Sequence, residues 1–249
     1  MLHFLSKKRP FIKTFFTLLF SAGLVVFVHA QENIHPLEDL YRHAEQIYST
    51  DDLLVNGQIY IPGRSKADGS PYYGDNRFVA GTVIIKGRKF DGVLLKFNLE
   101  DQRLILRAAV ETGKYVTILL NPDLIDSFTL GGRKFVNINH CLNHPDLNGF
   151  YALVYDGSFT FLIKYKKSFI DVYSQQKPYG SYSKMYWDYY IFKSGIFENV
   201  TKKKALLNYF FPVKNEVKSF MRKYNIRYKK ATAEQLNQLM KYCDFVVSK

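Results

Sequence analysis

Cysteine is almost absent from this chain of 249 residues, which holds only Cys141 and Cys243. Two thiols allow one disulfide at most, and export from the cytoplasm would permit it. However, apolar residues recur at helical spacing up to Cys243, which favours a free thiol buried on one helix face. The residues with this spacing are Leu236, Leu239, Met240 and Cys243. The sequence leaves both states of Cys243 open.

Signatures of common catalytic sites are also missing. The chain has no G-x-S-x-G, H-E-x-x-H or G-x-G-x-x-G motif, no P-loop and no EF-hand loop. Neighbouring acids such as Glu100 and Asp101 fall at expected turns, where turn polarity accounts for them. Carboxylates distant in sequence can still converge into a glycosidase pair. We therefore predict no catalytic residue and no cofactor, and an enzyme stays an alternative.

Long apolar runs are limited to one, near the start of the chain. Basic residues up to Lys13 precede an uncharged run over 14–28, and Val28-His29-Ala30 has the form of a cleavage site. This layout predicts a secretory signal peptide over residues 1–30 and a mature chain from Gln31. The run is shorter than the ~20 residues that cross a bilayer, and no second run follows. We expect an exported protein, periplasmic or secreted, with no transmembrane span in the mature chain.

Charge is distributed unevenly along the chain. Residues 200–249 hold twelve Lys and Arg against three Asp and Glu, whereas residues 31–199 are neutral. Such asymmetry can mark contact with an anionic partner, although a solvated helical face rich in Lys is the simpler explanation. Nucleic acid is not expected outside the cytoplasm. The candidate partner is an anionic envelope component or protein that binds the C-terminal basic helices.

From Phe78 onward, apolar and polar residues alternate with a period of two, which is typical of half-buried strands. Glycine-containing pairs separate these runs and favour hairpin connections between antiparallel strands. The pairs are Lys86-Gly87, Gly131-Gly132, Asp156-Gly157 and Ser194-Gly195. The spacing predicts roughly eight to eleven strands in an antiparallel β-meander, either a curved sheet or an open barrel.

The pattern becomes helical near Thr201. Thr201 is the expected N-cap of a first helix. A second helix should end near Asn225. Thr232 with Gln235 has the form of a capping box at the start of a third helix. The predicted fold is α+β and mainly β, with a small C-terminal helical segment. Its domains are a signal peptide (1–30), a β-meander domain with a short N-terminal helix (31–199) and a basic three-helix segment (200–249).

The order of short motifs resembles a family of uncharacterised exported proteins common in Bacteroidota. The motifs that carry the resemblance are Asn56-Gly57, Gly69-Ser70-Pro71-Tyr72-Tyr73, Phe78, Gly81-Thr82-Val83, Gly87-Arg88-Lys89-Phe90, Leu94 to Leu99, Asp101, Phe135-Val136, Gly149-Phe150-Tyr151, Tyr155-Asp156-Gly157, Tyr242 and Asp244. The resemblance implies export and a β-rich fold. It transfers no site residue, because the family has no assigned activity. Asn98 departs from the pattern, since the family tends to place Asp there.

The densest group of ligand-type side chains lies between two expected strands. His140, Cys141 and His144 carry imidazole and thiolate groups, which suit zinc or copper. No second pair completes a set of four ligands, and the segment is rich in Asn and Pro. These three residues are weak metal candidates, and a polar loop is the alternative.

Aromatic residues concentrate between 173 and 190. Exposed Tyr and Trp side chains can stack on sugars or anchor a protein interface. The candidate binding residues are Tyr182, Tyr186, Trp187 and Tyr189. The ordinary preference of strands for aromatic residues is the alternative explanation.

The leading hypothesis is an exported, non-catalytic envelope protein with a binding or scaffolding role. The signal peptide, the missing catalytic motifs and the confined positive charge support it. Two alternatives stay open: an exported hydrolase that acts on glycan or lipid, and a carrier that holds an apolar ligand inside the curved sheet.

Overall fold

The computed structural model describes residues 52–55, 57–109, 114–138 and 148–248. These ranges contain thirteen β-strands and four α-helices. The strands are β1 (Gly57–Ile59), β2 (Val79–Ile85), β3 (Arg88–Asn98), β4 (Arg103–Ala109), β5 (Tyr115–Leu120), β6 (Ile125–Leu130), β7 (Arg133–Asn137), β8 (Phe150–Asp156), β9 (Thr160–Lys166), β10 (Phe169–Ile170), β11 (Ser181–Tyr182), β12 (Tyr186–Lys193) and β13 (Ile196–Asn199). The helices are α1 (Asp52–Val55), α2 (Lys203–Tyr209), α3 (Lys214–Lys223) and α4 (Ala233–Val247). The protein is mainly β with a small C-terminal helical segment, which confirms the predicted fold class.

Eleven of the strands form one antiparallel sheet that does not close, in the order β1-β5-β4-β3-β2-β6-β7-β8-β9-β12-β13. β10 and β11 pair separately. The main sheet consists of two meanders side by side. The chain runs outward from β2 to β5 and then returns, so that β6 pairs with the opposite edge of β2. If every strand paired with the strand before it in the chain, β6 would lie beside β5.

All four glycine-containing pairs lie at hairpin connections between antiparallel neighbours, as expected. The β8–β9 connection is a longer loop after Asp156, and the other three are two-residue turns. In each of them both residues have positive φ, between 48° and 80°. This backbone geometry matches the right-handed twist of the flanking strands, and glycine adopts it without a Cβ penalty. The three turns are Lys86-Gly87, Gly131-Gly132 and Ser194-Gly195.

The sheet curls around an aromatic core. Phe97 on β3 and Phe150 on β8 are separated by three intervening strands, which would place them roughly 19 Å apart in a flat sheet. Their ring centroids are only 5.8 Å apart, and both rings also contact Phe128. Side chains on the inner face therefore pack against each other across the curled sheet, although its two edge strands do not pair.

The three C-terminal helices complete this core. Their buried side chains join the main apolar cluster of the sheet. The residues concerned are Leu206, Leu207, Val217, Met221, Leu236, Leu239, Met240 and Cys243. Cys243 is a buried free thiol, and burial raises its pKa to about 12.

The helix starts agree only partly with the predicted caps. Thr232 and Gln235 form the reciprocal hydrogen bonds of the predicted capping box at the start of α4. In contrast, the prediction for Thr201 is wrong, because α2 starts one residue later than a Thr201 cap requires, with Lys202 in the cap position. Thr201 Oγ1 instead accepts a hydrogen bond from the Tyr189 backbone N–H at 2.9 Å.

Within the described ranges, no helix is both long enough and apolar enough to cross a bilayer. The predicted signal peptide and the helix expected over 36–47 lie outside these ranges.

Candidate functional site

A cleft of about 660 Å³ opens at one end of the curled sheet. One wall is the loop over residues 60–76, which follows β1, and the other wall is formed by the ends of β3 and β11. Backbone hydrogen bonds fasten the loop at three places. The bonds run from Tyr60 N to Thr117 O at 2.8 Å, from Asp68 N to Gly180 O at 3.0 Å, and from Tyr73 N to Phe97 O at 2.9 Å. The loop therefore has a defined path although it lacks regular secondary structure.

The floor of the cleft is the turn between β3 and β4. Asn98 is buried, and its Oδ1 accepts hydrogen bonds from the backbone N–H groups of Glu100 at 2.9 Å and Asp101 at 3.3 Å. Its Nδ2 donates to Asp101 Oδ2 at 3.0 Å. Aspartate could accept the two backbone bonds but has no proton to donate to Asp101 when ionised. The amide at position 98 thus shapes the turn and orients the neighbouring carboxylate.

Two tyrosines and a lysine occupy the wall beside this turn. The hydroxyls of Tyr60 and Tyr72 share a hydrogen bond of 2.9 Å, and burial together with this bond raises the pKa of Tyr72. Lys96 Nζ donates to Asn76 Oδ1 at 2.6 Å and lies 4.5 Å from the centre of the Tyr72 ring. Burial and the nearby Arg107 lower the pKa of Lys96. Among the described residues, no carboxylate lies within ion-pair distance of Lys96.

Arg64 separates the cleft from a neighbouring hollow. Its Nη1 donates to Glu100 Oε1 at 2.9 Å, and its guanidinium stacks 4.3 Å from the centre of the Phe169 ring. Beyond Arg64 the surface continues into a second cavity of about 420 Å³. Tyr173 and Tyr179, both exposed, line this second cavity. The two hollows therefore form an extended surface with aromatic rings and paired charges along it.

The arrangement suits reversible binding of a polar molecule with apolar faces. Hydroxyl and amide groups can both donate and accept hydrogen bonds, and carboxylates accept strong ones. The rings of Tyr60 and Tyr182, both half-buried, add apolar surface for the flat side of a ligand. The cleft is open to solvent and its backbone is already in place, as in most preformed small-molecule sites.

The four sequence-predicted binding residues lie in different surroundings. Tyr182 lines the cleft, and Tyr186 lines an adjoining cavity, where its hydroxyl lies 2.8 Å from Ser168 Oγ. Trp187 is half-buried, and its Nε1 donates to the hydroxyl of Tyr189 at 2.8 Å. Tyr189 is 1% exposed and packs against Phe161 in the core. Tyr186 differs from Trp187 and Tyr189 because successive side chains along β12 point to opposite faces, whereas Tyr182 lies on β11.

The weak metal candidates, His140, Cys141 and His144, lie outside the described residues. Within the part of the chain that the structure does describe, no group of three or more His, Cys, Asp or Glu side chains is placed to hold a metal ion.

Sequence reasoning missed most of the cleft. Glu100 and Asp101 do occupy a turn, as expected, but this turn also forms the cleft floor. Tyr60, Tyr72 and Lys96 carried no local signal, because they come from a loop and a strand far apart in the sequence. The available signal was the order of motifs, since Gly69 to Tyr72, Asn98 and Asp101 all line the cleft.

Comparison with known proteins adds no assignment, because no family model, curated protein or solved structure matches the chain. The resemblance to exported Bacteroidota proteins stays a prediction. The chemistry of the cleft is the basis on which function can be inferred.

Proposed function

We propose that this chain belongs to the exported Bacteroidota family it resembles, that it is a non-catalytic binding protein, and that its cleft holds a polyhydroxylated ligand such as a segment of a glycan. The observation that carries the proposal is the composition of the cleft walls. Tyr60 and Tyr182 supply rings and hydroxyls, and Asp101 and Asn76 supply acceptors and donors.

Sugar rings match these walls in two ways. Their C–H faces are apolar and pack against aromatic rings, as those of Tyr60 and Tyr182 would allow. Their hydroxyl groups donate to carboxylates such as Asp101 and accept from ammonium groups such as Lys96. The adjoining cavity with Tyr173 would extend the same contacts to a further sugar unit.

The geometry favours binding over the two alternatives. Glu100 is held by Arg64, and Asp101 is held by Asn98, so both carboxylates are fixed as hydrogen-bond acceptors. A hydrolase stays the second candidate because these two carboxylates line one cleft. A carrier of apolar molecules is less favoured, since Phe97 and neighbouring rings fill the inner face of the sheet.

Binding is tested with an array of polysaccharide fragments, followed by calorimetry on the tightest binder. Asp101→Asn removes a charged acceptor but keeps its shape, and Tyr60→Phe removes only a hydroxyl. A lost hydrogen bond costs about 1 kcal/mol and more when one partner is charged. We therefore expect each variant to bind roughly fivefold to tenfold more weakly than the unaltered protein.

Tyr224→Phe is the matched control, because Tyr224 is exposed at the C-cap of α3 and lines none of these cavities. Its affinity should equal that of the unaltered protein. If no fragment binds, or if both cleft variants bind normally, the proposal is wrong. Release of reducing ends from a bound fragment, abolished by Asp101→Asn, would instead establish the hydrolase.

We propose, as a second role, that the basic helical segment over 200–249 contacts an anionic envelope component or an acidic protein. In the described residues of this segment, no Lys or Arg forms an ion pair. Lys203 and Lys204 are exposed in the first turn of α2, which contains no acidic residue. Positive charge at a helix N-terminus opposes the helix dipole, so these lysines do not stabilise α2.

The second role is tested by a pull-down from envelope extract at low and high salt with Lys203→Glu/Lys204→Glu. Acidic residues should stabilise the first turn of α2, so a lost partner would not result from unfolding. We expect the partner to be captured at low salt only and to be lost with this variant. Lys114→Glu/Lys134→Glu is the control, since it makes the same charge change at two exposed sites, one just before β5 and one on β7. Equal capture by both variants would contradict the role.

A further inference from the structure

A third cavity, of about 440 Å³, lies beside the cleft and shares Glu100 with it. Three ammonium groups line it, those of Lys164, Lys166 and Lys167. We call it the lysine cavity. It contains none of the sequence-predicted residues except Tyr186.

The strand pattern explains why the lysines gather here. Ile163 and Tyr165 on β9 point into the main core, so Lys164 and Lys166 point to the opposite face. Lys167 follows the last residue of β9, and its Nζ donates to the carbonyl of Ser70 at 2.8 Å. The lysine cavity is thereby tied to the loop that forms the cleft wall.

The positive charge of the lysine cavity is only partly balanced. Lys166 pairs with Asp188 at 2.7 Å, whereas Lys164 and Lys167 form no ion pair with any described residue. Glu100 is the one described carboxylate that lines the cavity, and it is bound to Arg64. The lysine cavity therefore contains more ammonium groups than carboxylates that could pair with them.

Lys164 is the most strongly affected of the three. Burial and the neighbouring Lys166 lower the pKa of Lys164 to about 8, although Asp188 acts in the opposite direction. Burial also lowers the pKa of Lys167. Desolvation and repulsion between like charges both disfavour ammonium groups, and a bound anion would offset both.

Free hydrogen-bond donors remain for such an anion. Lys164 Nζ donates to Asn148 O at 2.6 Å and approaches the Tyr151 hydroxyl at 3.3 Å, which leaves one of its three protons. Lys167 uses one proton for Ser70. The hydroxyls of Ser168 and Tyr186, 2.8 Å apart, lie in the same cavity.

We propose that the lysine cavity binds a phosphate or sulfate group through Lys164 and Lys167, with one further donor from the hydrogen-bonded pair of Ser168 and Tyr186 hydroxyls. Such oxyanions carry several acceptor oxygens, and ammonium groups bind them through strong, charge-assisted hydrogen bonds. The site does not depend on a sugar in the cleft. Its oxyanion is either free or part of a larger molecule that projects toward solvent.

Calorimetry with the full chain distinguishes these sources with four probes: inorganic phosphate, inorganic sulfate, glucose 6-phosphate and glucose 6-sulfate. Binding of the inorganic ions indicates a free oxyanion, and binding of the esters alone indicates a group on a larger molecule. We expect Lys164→Met/Lys167→Met to lose at least about tenfold in affinity, because two charge-assisted bonds are removed. Lys134→Met, at an exposed site on β7, should bind like the unaltered protein.

A second measurement needs no variant. Labelling of the unaltered protein with an amine-reactive reagent, read by mass spectrometry, should be fast at Lys164 and several-fold slower when the tightest probe is present. The proposal is overturned if none of the four probes binds, if the double variant binds as tightly as the unaltered protein, or if the bound probe leaves labelling of Lys164 unchanged.

Discussion

At the scale of single residues, Asp244 shows how one side chain joins distant parts of the chain. It lies on α4, and its Oδ2 accepts hydrogen bonds from the Tyr155 hydroxyl and from the Ser158 backbone N–H, the latter at 3.0 Å. Its Oδ1 accepts from Ser158 Oγ. A Cβ on Gly157 would lie 2.5 Å from the Asp244 carboxylate, so only glycine leaves room for this contact. The motif Tyr155-Asp156-Gly157 is thus a docking point for α4.

Asp244→Asn should destabilise the protein by roughly 1 to 3 kcal/mol, the range for hydrogen bonds to a charged group. Although burial acts in the opposite direction, the hydrogen bonds from Ser158 and Tyr155 lower the pKa of Asp244. The stabilisation is therefore complete above the unfolded pKa of ~3.9 and disappears as the pH falls through the lower folded pKa. Urea unfolding from pH 7 to pH 3 should show the difference between the two proteins shrinking at the acidic end.

The control for this prediction is Asp156→Asn in the same turn. Asp156 is exposed and accepts one hydrogen bond, from Thr160 Oγ1 at 2.9 Å. We expect its effect to stay within about 0.5 kcal/mol. Equal losses in the two variants would show that α4 does not depend on Asp244.

At the scale of secondary-structure elements, the hairpins depend on turn residues that accept a left-handed backbone. In the β12–β13 hairpin, Ser194 has φ of 51° and Gly195 has φ of 80°. A residue other than glycine loses about 1–2 kcal/mol in this conformation, and asparagine tolerates it better than serine. The sequence pattern predicted this turn. It did not show that the left-handed backbone of the turn is unfavourable for Ser194.

Gly195→Ala should therefore lower the free energy of unfolding by about 1–2 kcal/mol, and Ser194→Asn should raise it by a few tenths. No atom lies within 4 Å of a Cβ built on Gly195, so the expected loss comes from the backbone and not from a clash. Thermal and urea unfolding measure both changes.

Gly63→Ala serves as the comparison for the hairpin variants. Gly63 also has open space around a Cβ, but its φ is not in the left-handed region. This substitution should be neutral or slightly stabilising, because it reduces the freedom of the unfolded chain. A loss at Gly63 equal to that at Gly195 would rule out the backbone explanation.

At the scale of the whole molecule, the curl of the sheet creates the candidate sites. The turn after β3 meets β9, where Gln102 Nε2 donates to the carbonyl of Tyr165 at 3.0 Å. These segments are far apart in the strand order. Their meeting places Glu100 between the cleft and the lysine cavity. A flat sheet with the same strands would have neither site.

Local patterns in the sequence were sufficient for much of the fold. The alternation in β9, the glycine turns and the capping box at Thr232 each depend on neighbouring residues, and the structure confirms them. Thr201 was mistaken for a cap because its hydroxyl had a competing partner, the backbone of Tyr189. That partner belongs to another element, so the residues around Thr201 do not indicate it.

Hydrophobic periodicity and turn chemistry act over a few residues, so local patterns are enough to predict the strands of the main sheet, most turns, the three C-terminal helices and the mainly β fold class. Tertiary packing, in contrast, is what returns β6 to β2, places Asn98 and Asp101 together in a cleft, and brings Lys164 and Lys167 into one cavity. These arrangements result from burying side chains such as Phe97 and Phe150 together. Burial of this kind depends on the whole chain and cannot be predicted from any single stretch of it.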